Sequence, residues 1–278
     1  MRTWSFAKGH GTRNDFVILV DRGNLLGMDA DDVRFLCDRR AGIGADGVLR
    51  ATMASYLDGW AGDPDLWFMD YRNADGSIAE MCGNGLRVFA RYLTDEGLVS
   101  SDPFDVVTRA GLRHCVVHSD HTVSVSMGPV LIDRTPVRVR LGDREWDAVE
   151  GDVGNPHAVV TLADAGELAS LDLTHAPTWE PVDRYPGGAN VEFIHEVAPH
   201  HVAMRVHERG SGETMSCGTG TVAAAGAWAT ARGVLAGEYR VDVPGGTVIV
   251  TIDPSGRAIL TGPAVIVAHG EVTLPERV

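Results

Sequence analysis

Three landmarks occur twice along this chain, in the same order, and that repetition limits the fold more than any composition figure does. "HGTRNDFVIL" is answered by "DVGNPHAVVTL", setting Asn14 against Asn155; "GIGADGV" is answered by "PGGANVEF"; "EMCGNG" is answered by "MSCGTG", setting Cys82 against Cys217. The offsets are 141, about 144 and 135 residues. One such match means little, but three in order imply an internal duplication: two similar lobes with a site between them, each contributing one cysteine. A length of 278 residues agrees, being ample for two domains.

The local patterns are mostly those of strands. Residues 13–21 read as a strand ending in the turn "RGN", and 29–40 as a helix with an acidic start, stopped by "AGIGADG". Strands are predicted over 47–57 and 65–71, then a buried helix over 86–93 with Leu86, Phe89, Ala90 and Leu93 on one face. From 105 to 142 the alternation is strand-like, and a domain boundary is placed near 118–128. The second half predicts strands over 157–162, 189–194 and 202–207, an Ala-rich helix over 220–232 closed by Gly233, and strands over 239–243, 247–252 and 257–267.

Composition narrows the chemistry. With 24 basic and 38 acidic residues the formal charge is −14, which repels nucleic acid and anionic membranes, so small molecules or other proteins are the expected partners. No apolar run reaches the roughly 18 residues a membrane span needs, and "MRTWSFAKGHGTRND" has no secretory apolar stretch, which predicts a cytoplasmic location. Lys8 is the single lysine, which argues against a Schiff-base cofactor. Cys37, Cys82, Cys115 and Cys217 lie far apart without a C-x-x-C pair, a pattern expected of thiols rather than of a zinc site or disulfide staples.

Both Cys-Gly-x-Gly segments stand immediately before a helix, where backbone N–H groups lack intrahelical partners. That setting favours anions, both a thiolate and a bound carboxylate, and the glycines permit close backbone approach. Two thiols facing one carbon would remove a proton from one side and deliver one to the other, inverting configuration without a cofactor.

These segments together, "KGHGTRNDF", "GIGADG", "NADGSIAEMCGNGLR", "GNPHAV", "PGGANVEF" and "ERGSGETMSCGTGT", resemble the diaminopimelate epimerase family over essentially the whole chain. The resemblance implies an α+β fold of two pseudo-symmetric lobes, each a mainly antiparallel β-barrel-like sheet around a central helix. It also implies a homodimer, no cofactor or metal, and interconversion of LL- and meso-diaminopimelate for lysine and cell-wall synthesis. On this basis the lobes are drawn at 1–122 and 123–262, with a strand over 263–278 returning to the first. Carried over by position, Cys82 and Cys217 are the acid/base pair, with Cys217 the acceptor and Cys82 the donor in the LL-to-meso direction. Gly83, Asn84, Gly218 and Thr219 match residues that bind the reacting carboxylate. Asn14, Asn73, Asn155, Asn190, Glu208 and Arg209 match side chains that grip the substrate, and His157 and Glu208 match groups that adjust the thiols. Gly47 departs from the pattern, because many members carry glutamine there.

Other motifs carry less. "GIGADG" fits a dinucleotide fingerprint in letters, but its helix comes before and its strand after. "HEVAPH" spaces its histidines five apart around Pro199 and reads as a surface turn. In the cluster His114, Cys115, His118 and His121, strand alternation turns Cys115 away from His114 and His118. A proline or hydroxyproline racemase would typically carry His where this chain has Asn84, a phenazine-type isomerase lacks the thiol pair, and a non-catalytic amino-acid binder would not need it.

Overall fold

The computed structural model describes residues 2–99 and 103–276. Two compact units emerge, Met1–Val125 with Pro263–Val278, and Ser126–Gly262.

In the first unit β1 (Arg2–Gly11) and β2 (Asn14–Val20) form an antiparallel hairpin. Helix α1 (Ala30–Cys37) begins with a capping box in which Asp29 and Asp32 exchange side-chain and backbone hydrogen bonds. It leads to β3 (Gly47–Met53), parallel to β2, and then to the antiparallel β4 (Trp67–Asn73). After α2 (Gly83–Asp95) the chain returns in β5 (Phe104–Thr108), parallel to β4, and continues in antiparallel β6 (Gly111–Val117) and β7 (Thr122–Pro129).

The second unit repeats that connectivity. β8 (Leu131–Leu141) and β9 (Arg144–Asp152) pair antiparallel, and β9 forms a hairpin with β10 (Pro156–Thr161). The short α3 (Ala165–Ala169) and a three-residue strand β11 (Thr178–Glu180) precede β12 (Asn190–Ala198), parallel to β10, and antiparallel β13 (His201–Glu208). A small strand β14 (Gly212–Thr214) leads into α4 (Gly218–Ala231). β15 (Gly237–Val243) then runs parallel to β13, followed by antiparallel β16 (Gly246–Ile252) and β17 (Arg257–Pro263). Finally β18 (Val265–Leu274) pairs with β1 as β8 pairs with β9. The duplication legible in three short motifs thus extends to the order of the main strands and helices, in an α+β fold, with β11 and β14 added in the second unit.

Each long helix is central to its unit. Residues Gly83 to Ala90 of α2 and Gly220 to Ala229 of α4 are all buried, so both helices are enclosed on every side. Small residues make that enclosure possible for α4: a Cβ on Gly151 would lie 2.9 Å from Ala223 Cβ, and one on Gly226 would lie 2.8 Å from Val130 Cγ2. The N-terminal strand over 2–11 has no counterpart in the sequence reading, because Gly9 and Gly11 and two charged residues blur its alternation. The strand expected over 47–57 ends at Met53 and passes into a 3-10 turn, Ala54–Tyr56. "HEVAPH" is corrected as well: His195 to Ala198 complete β12, and only Pro199 and His200 turn, with His200 at a positive φ of 61°.

Candidate active site

In both units the cysteine is the N-cap of the central helix. The backbone N–H of Gly85 donates to Cys82 Sγ at 3.4 Å, and that of Gly220 donates to Cys217 Sγ at 3.4 Å. Each sulfur therefore satisfies a helix-start donor that would otherwise lack a partner. The surroundings then diverge.

Around half-buried Cys82 the groups are amides. Its thiol faces Asn14 Oδ1 at 3.8 Å, and Asn84 Nδ2 donates to the same oxygen at 3.3 Å. Asn14 Nδ2 in turn donates to Asp46 Oδ2 at 2.7 Å. Gly83 and Asn84 are the first residues of α2, both buried. Asn73 closes β4, and its amide donates to Ser77 Oγ at 3.0 Å, spanning the turn that follows. Gly47 stands opposite Asn73 in the β3–β4 register, and a Cβ there would lie 2.5 Å from the Arg72 carbonyl oxygen. The backbones have closed into the space a glutamine at position 47 would need.

Around Cys217 the groups are ionisable. Asn155 Nδ2 donates to Thr219 Oγ1 at 3.3 Å, and Thr219 Oγ1 lies 3.6 Å from Cys217 Sγ. His157, fully buried, holds Asn155 Oδ1 through Nε2 at 3.0 Å and Glu192 Oε1 through Nδ1 at 2.7 Å. Glu208 ends β13, takes a hydrogen bond from the Thr214 hydroxyl, and is hydrogen bonded to the Cys217 thiol. Asn190 Oδ1 accepts from the Arg209 backbone N–H at 2.9 Å. The exposed Arg209 guanidinium donates to the Gly187 carbonyl at 3.1 Å and meets no carboxylate among the described residues.

Burial, and then the Glu208 and Glu192 carboxylates, push the Cys217 thiol well above its ordinary range, outweighing the hydrogen bonds from Thr219 and the Gly220 N–H. This corrects the expectation that a helix N-terminus alone would favour a thiolate there. Burial also raises the Glu208 carboxyl, against the hydrogen bonds from Thr214 and Cys217 that lower it. The two shifts run the same way, each favouring the protonated form of its group in the buried pocket.

Sequence reasoning missed Arg87, Asp46 and Glu192. Glu192 carried a signal: a lone acid in "NVEFI", it shares a strand face with Asn190. Arg87 carried none, since an arginine off the apolar face of a helix reads as solvated until the helix is known to be enclosed. The histidine cluster makes its contacts elsewhere, whereas "GIGADG" itself supplies Asp46 to the Asn14 amide. "GIGADG" lies between α1 and β3, His114 faces Asp105 at 2.9 Å, His118 faces Ser124 at 2.7 Å, and Cys115 is buried.

Comparison with known proteins identifies the family and the fold. The family model described as diaminopimelate epimerase matches residues 6–132 and 151–267. A diaminopimelate epimerase of Thermobifida fusca is 53% identical, with 97% of this chain and 98% of that protein covered. One from Streptomyces coelicolor is 49% identical, covering 96% of this chain and 94% of that one. Among solved structures, a hydroxyproline epimerase from Agrobacterium vitis shares the fold, with a TM-score of 0.73, 17% identity, and 99% and 94% of the two chains covered.

Proposed function

The chain belongs to the diaminopimelate epimerase family, and we propose that Cys82 and Cys217 are the acid and base with which it performs that family's reaction. The protein is an isomerase of the racemase and epimerase type, interconverting LL- and meso-diaminopimelate on the route to lysine. The observation that carries the thiol assignment is the equivalent placing of the two cysteines, each as N-cap of the central helix of its unit.

In the LL-to-meso direction the Cys217 thiol gives its proton to Glu208, and the resulting thiolate takes the proton from Cα. The carbon loses only that proton; the electron pair of the broken C–H bond delocalises into the substrate carboxylate, and Cys82 returns a proton to the opposite face. Roles exchange in reverse. An amino-acid Cα proton is a weak acid, so the carboxylate must be stabilised as charge builds. The helix-start amides at Gly83, Asn84, Gly218 and Thr219 are assigned that task, since preorganised donors at a developing anion are the strongest available aid. Asn14, Asn73, Asn155 and Asn190 are assigned to the substrate's polar groups. Arg209, with no carboxylate of its own, takes a substrate carboxylate. His157 acts through Asn155 and Glu192. A homodimer in the cytoplasm completes the proposal; among the described residues no helix is long and apolar enough to cross a membrane.

The test is incubation with LL-diaminopimelate in D₂O without added cofactor, following deuterium at Cα together with the meso isomer. Deuterated meso product is expected, with Cys82→Ala and Cys217→Ala each lowering the rate by about 10³-fold or more. Folded protein that exchanges nothing would remove diaminopimelate as substrate, and an alanine variant that still inverts would remove its cysteine from the pair.

A further inference from the structure

Two charged side chains that the reaction does not use bracket the amides beside Cys82. Arg87 is fully buried on α2, just over one turn beyond Cys82. Its Nη2 donates to Asn84 Oδ1 at 2.7 Å and to Thr12 Oγ1 at 3.1 Å. Among the described residues Nε and Nη1 have no hydrogen-bond partner and no carboxylate pairs with the guanidinium. Burial pulls its pKa down to about 10, with the Cys82 sulfur pulling the other way. A buried cation without a carboxylate is a burden on stability, so its presence calls for a reason other than packing.

At the other end stands Asp46. Its Oδ2 accepts from Asn14 Nδ2 at 2.7 Å and from the Asp15 backbone N–H at 3.2 Å, and its Oδ1 accepts from Arg39 at 2.8 Å. A guanidinium only donates and a carboxylate only accepts, while an amide does both with opposite ends. The donations therefore run in one sense, Arg87 to Asn84 to Asn14 to Asp46. Reversing either amide would set NH₂ against the guanidinium or oxygen against the carboxylate. The atom left facing the Cys82 thiol is Asn14 Oδ1. The second unit has no such chain: Val222 stands five residues beyond Cys217 as Arg87 does beyond Cys82, and Asn155 turns its NH₂ toward Thr219.

We propose that Arg87 and Asp46 are positioning residues that fix the Asn84 and Asn14 amides for proton transfer at Cys82. The inference rests on the assignment of Cys82 to the acid/base pair. Each positioning residue acts through an asparagine, and the two act on the thiol with opposite electrostatic sign.

The experiment measures kcat, KM, melting temperature and the rate of iodoacetamide labelling at Cys82, read by peptide mass spectrometry, in Arg87→Met, Arg87→Lys and Asp46→Asn. In Arg87→Met and Asp46→Asn kcat should fall by about 10- to 100-fold with KM held within about threefold, the scale of a misplaced catalytic group. Labelling of Cys82 should slow by about threefold or more in Arg87→Met, which removes a cation, and quicken by a similar factor in Asp46→Asn, which removes an anion. Arg87→Lys, which keeps the charge and one donor, should recover most of both. Wild-type kcat and labelling in folded Arg87→Met, or labelling shifts of the same sign in both variants, would overturn the proposal. Should Arg87→Met fail to fold, unchanged kcat and labelling in Asp46→Asn would overturn it alone. Inversion surviving in Cys82→Ala would instead overturn the assignment beneath it.

Discussion

Phe16 and His157 occupy the same step of the two units, as the register shows: Phe16 pairs with Gly47 between β2 and β3, His157 with Asn190 between β10 and β12. Two residues further along, Leu49 and Glu192 likewise correspond. One unit thus places an apolar pair beneath the start of its helix and the other a hydrogen-bonded His–Glu pair, all four fully buried. On the helix itself the contrast reverses, with Arg87 in the first unit and Val222 in the second. A duplicated frame therefore carries a buried cation near one thiol and buried acids near the other. The fold needs only that these positions be filled, since apolar residues serve as well as ionisable ones; the difference belongs to the chemistry.

The sharpest way to break the contrast is to make the second unit like the first. His157→Phe combined with Glu192→Leu should leave the melting temperature unchanged or higher, because a buried polar pair replaced by packed apolar groups is commonly neutral or stabilising. Turnover should fall by about 100-fold, as Asn155 loses its anchor. A melting temperature several degrees lower would mean the pair is structural.

The glycines that follow the two thiols should also part company. A Cβ on Gly220 would lie 2.4 Å from Glu192 Oε1, whereas one on Gly85 would meet Leu49 Cδ2 at 3.1 Å. Gly220→Ala is expected to cost about 2 kcal/mol, since Glu192 must leave His157 to make room. Gly85→Ala should stay within about 1 kcal/mol, the strain being offset by alanine's helix propensity. Urea unfolding of the two variants checks this, and equal losses would refute it.

Glu208→Gln should lower kcat by about tenfold or more through loss of the proton acceptor. It should also let Cys217 label at lower pH, because one of the carboxylates holding the thiol up is gone. Labelling unchanged across pH would disconnect the two groups.

The smallest effect concerns acid stability in the first unit. Burial raises the Asp15 carboxyl, but hydrogen bonds from Arg39 and Lys8 outweigh it and bring the pKa from 3.8 to about 2. A depressed carboxyl contributes stability that is complete above its unfolded value and is lost as pH falls toward the folded one. Asp15→Asn should therefore reduce the loss between pH 4 and 2 by about 1 kcal/mol, discounted for partial exposure. An identical acid profile in wild type and variant would exclude it.

The two cysteines and their glycine turns were legible without coordinates because helix capping and close backbone approach are local demands, met by particular residues at fixed spacing, and Asn14 and Asn155 were legible because the repeat aligns them. Gly83, Asn84, Gly218 and Thr219 fall at helix starts for that reason. Strand ends were less legible: the 47–57 run stops at Met53, where pairing with β4 runs out at Trp67, and pairing is not a local property. Arg87, Asp46 and Glu192 lay beyond the reading because their importance depends on what encloses them. An arginine on a helix is solvated or buried according to whether a sheet wraps that helix, and the raised Cys217 thiol depends first on its burial and then on two carboxylates brought from β12 and β13. The sequence determined the duplication and the residues at each helix start, which are matters of order and spacing along one chain. The tertiary structure alone decided which charges are buried beside which thiol, because desolvation and Coulomb interaction depend on neighbours in space.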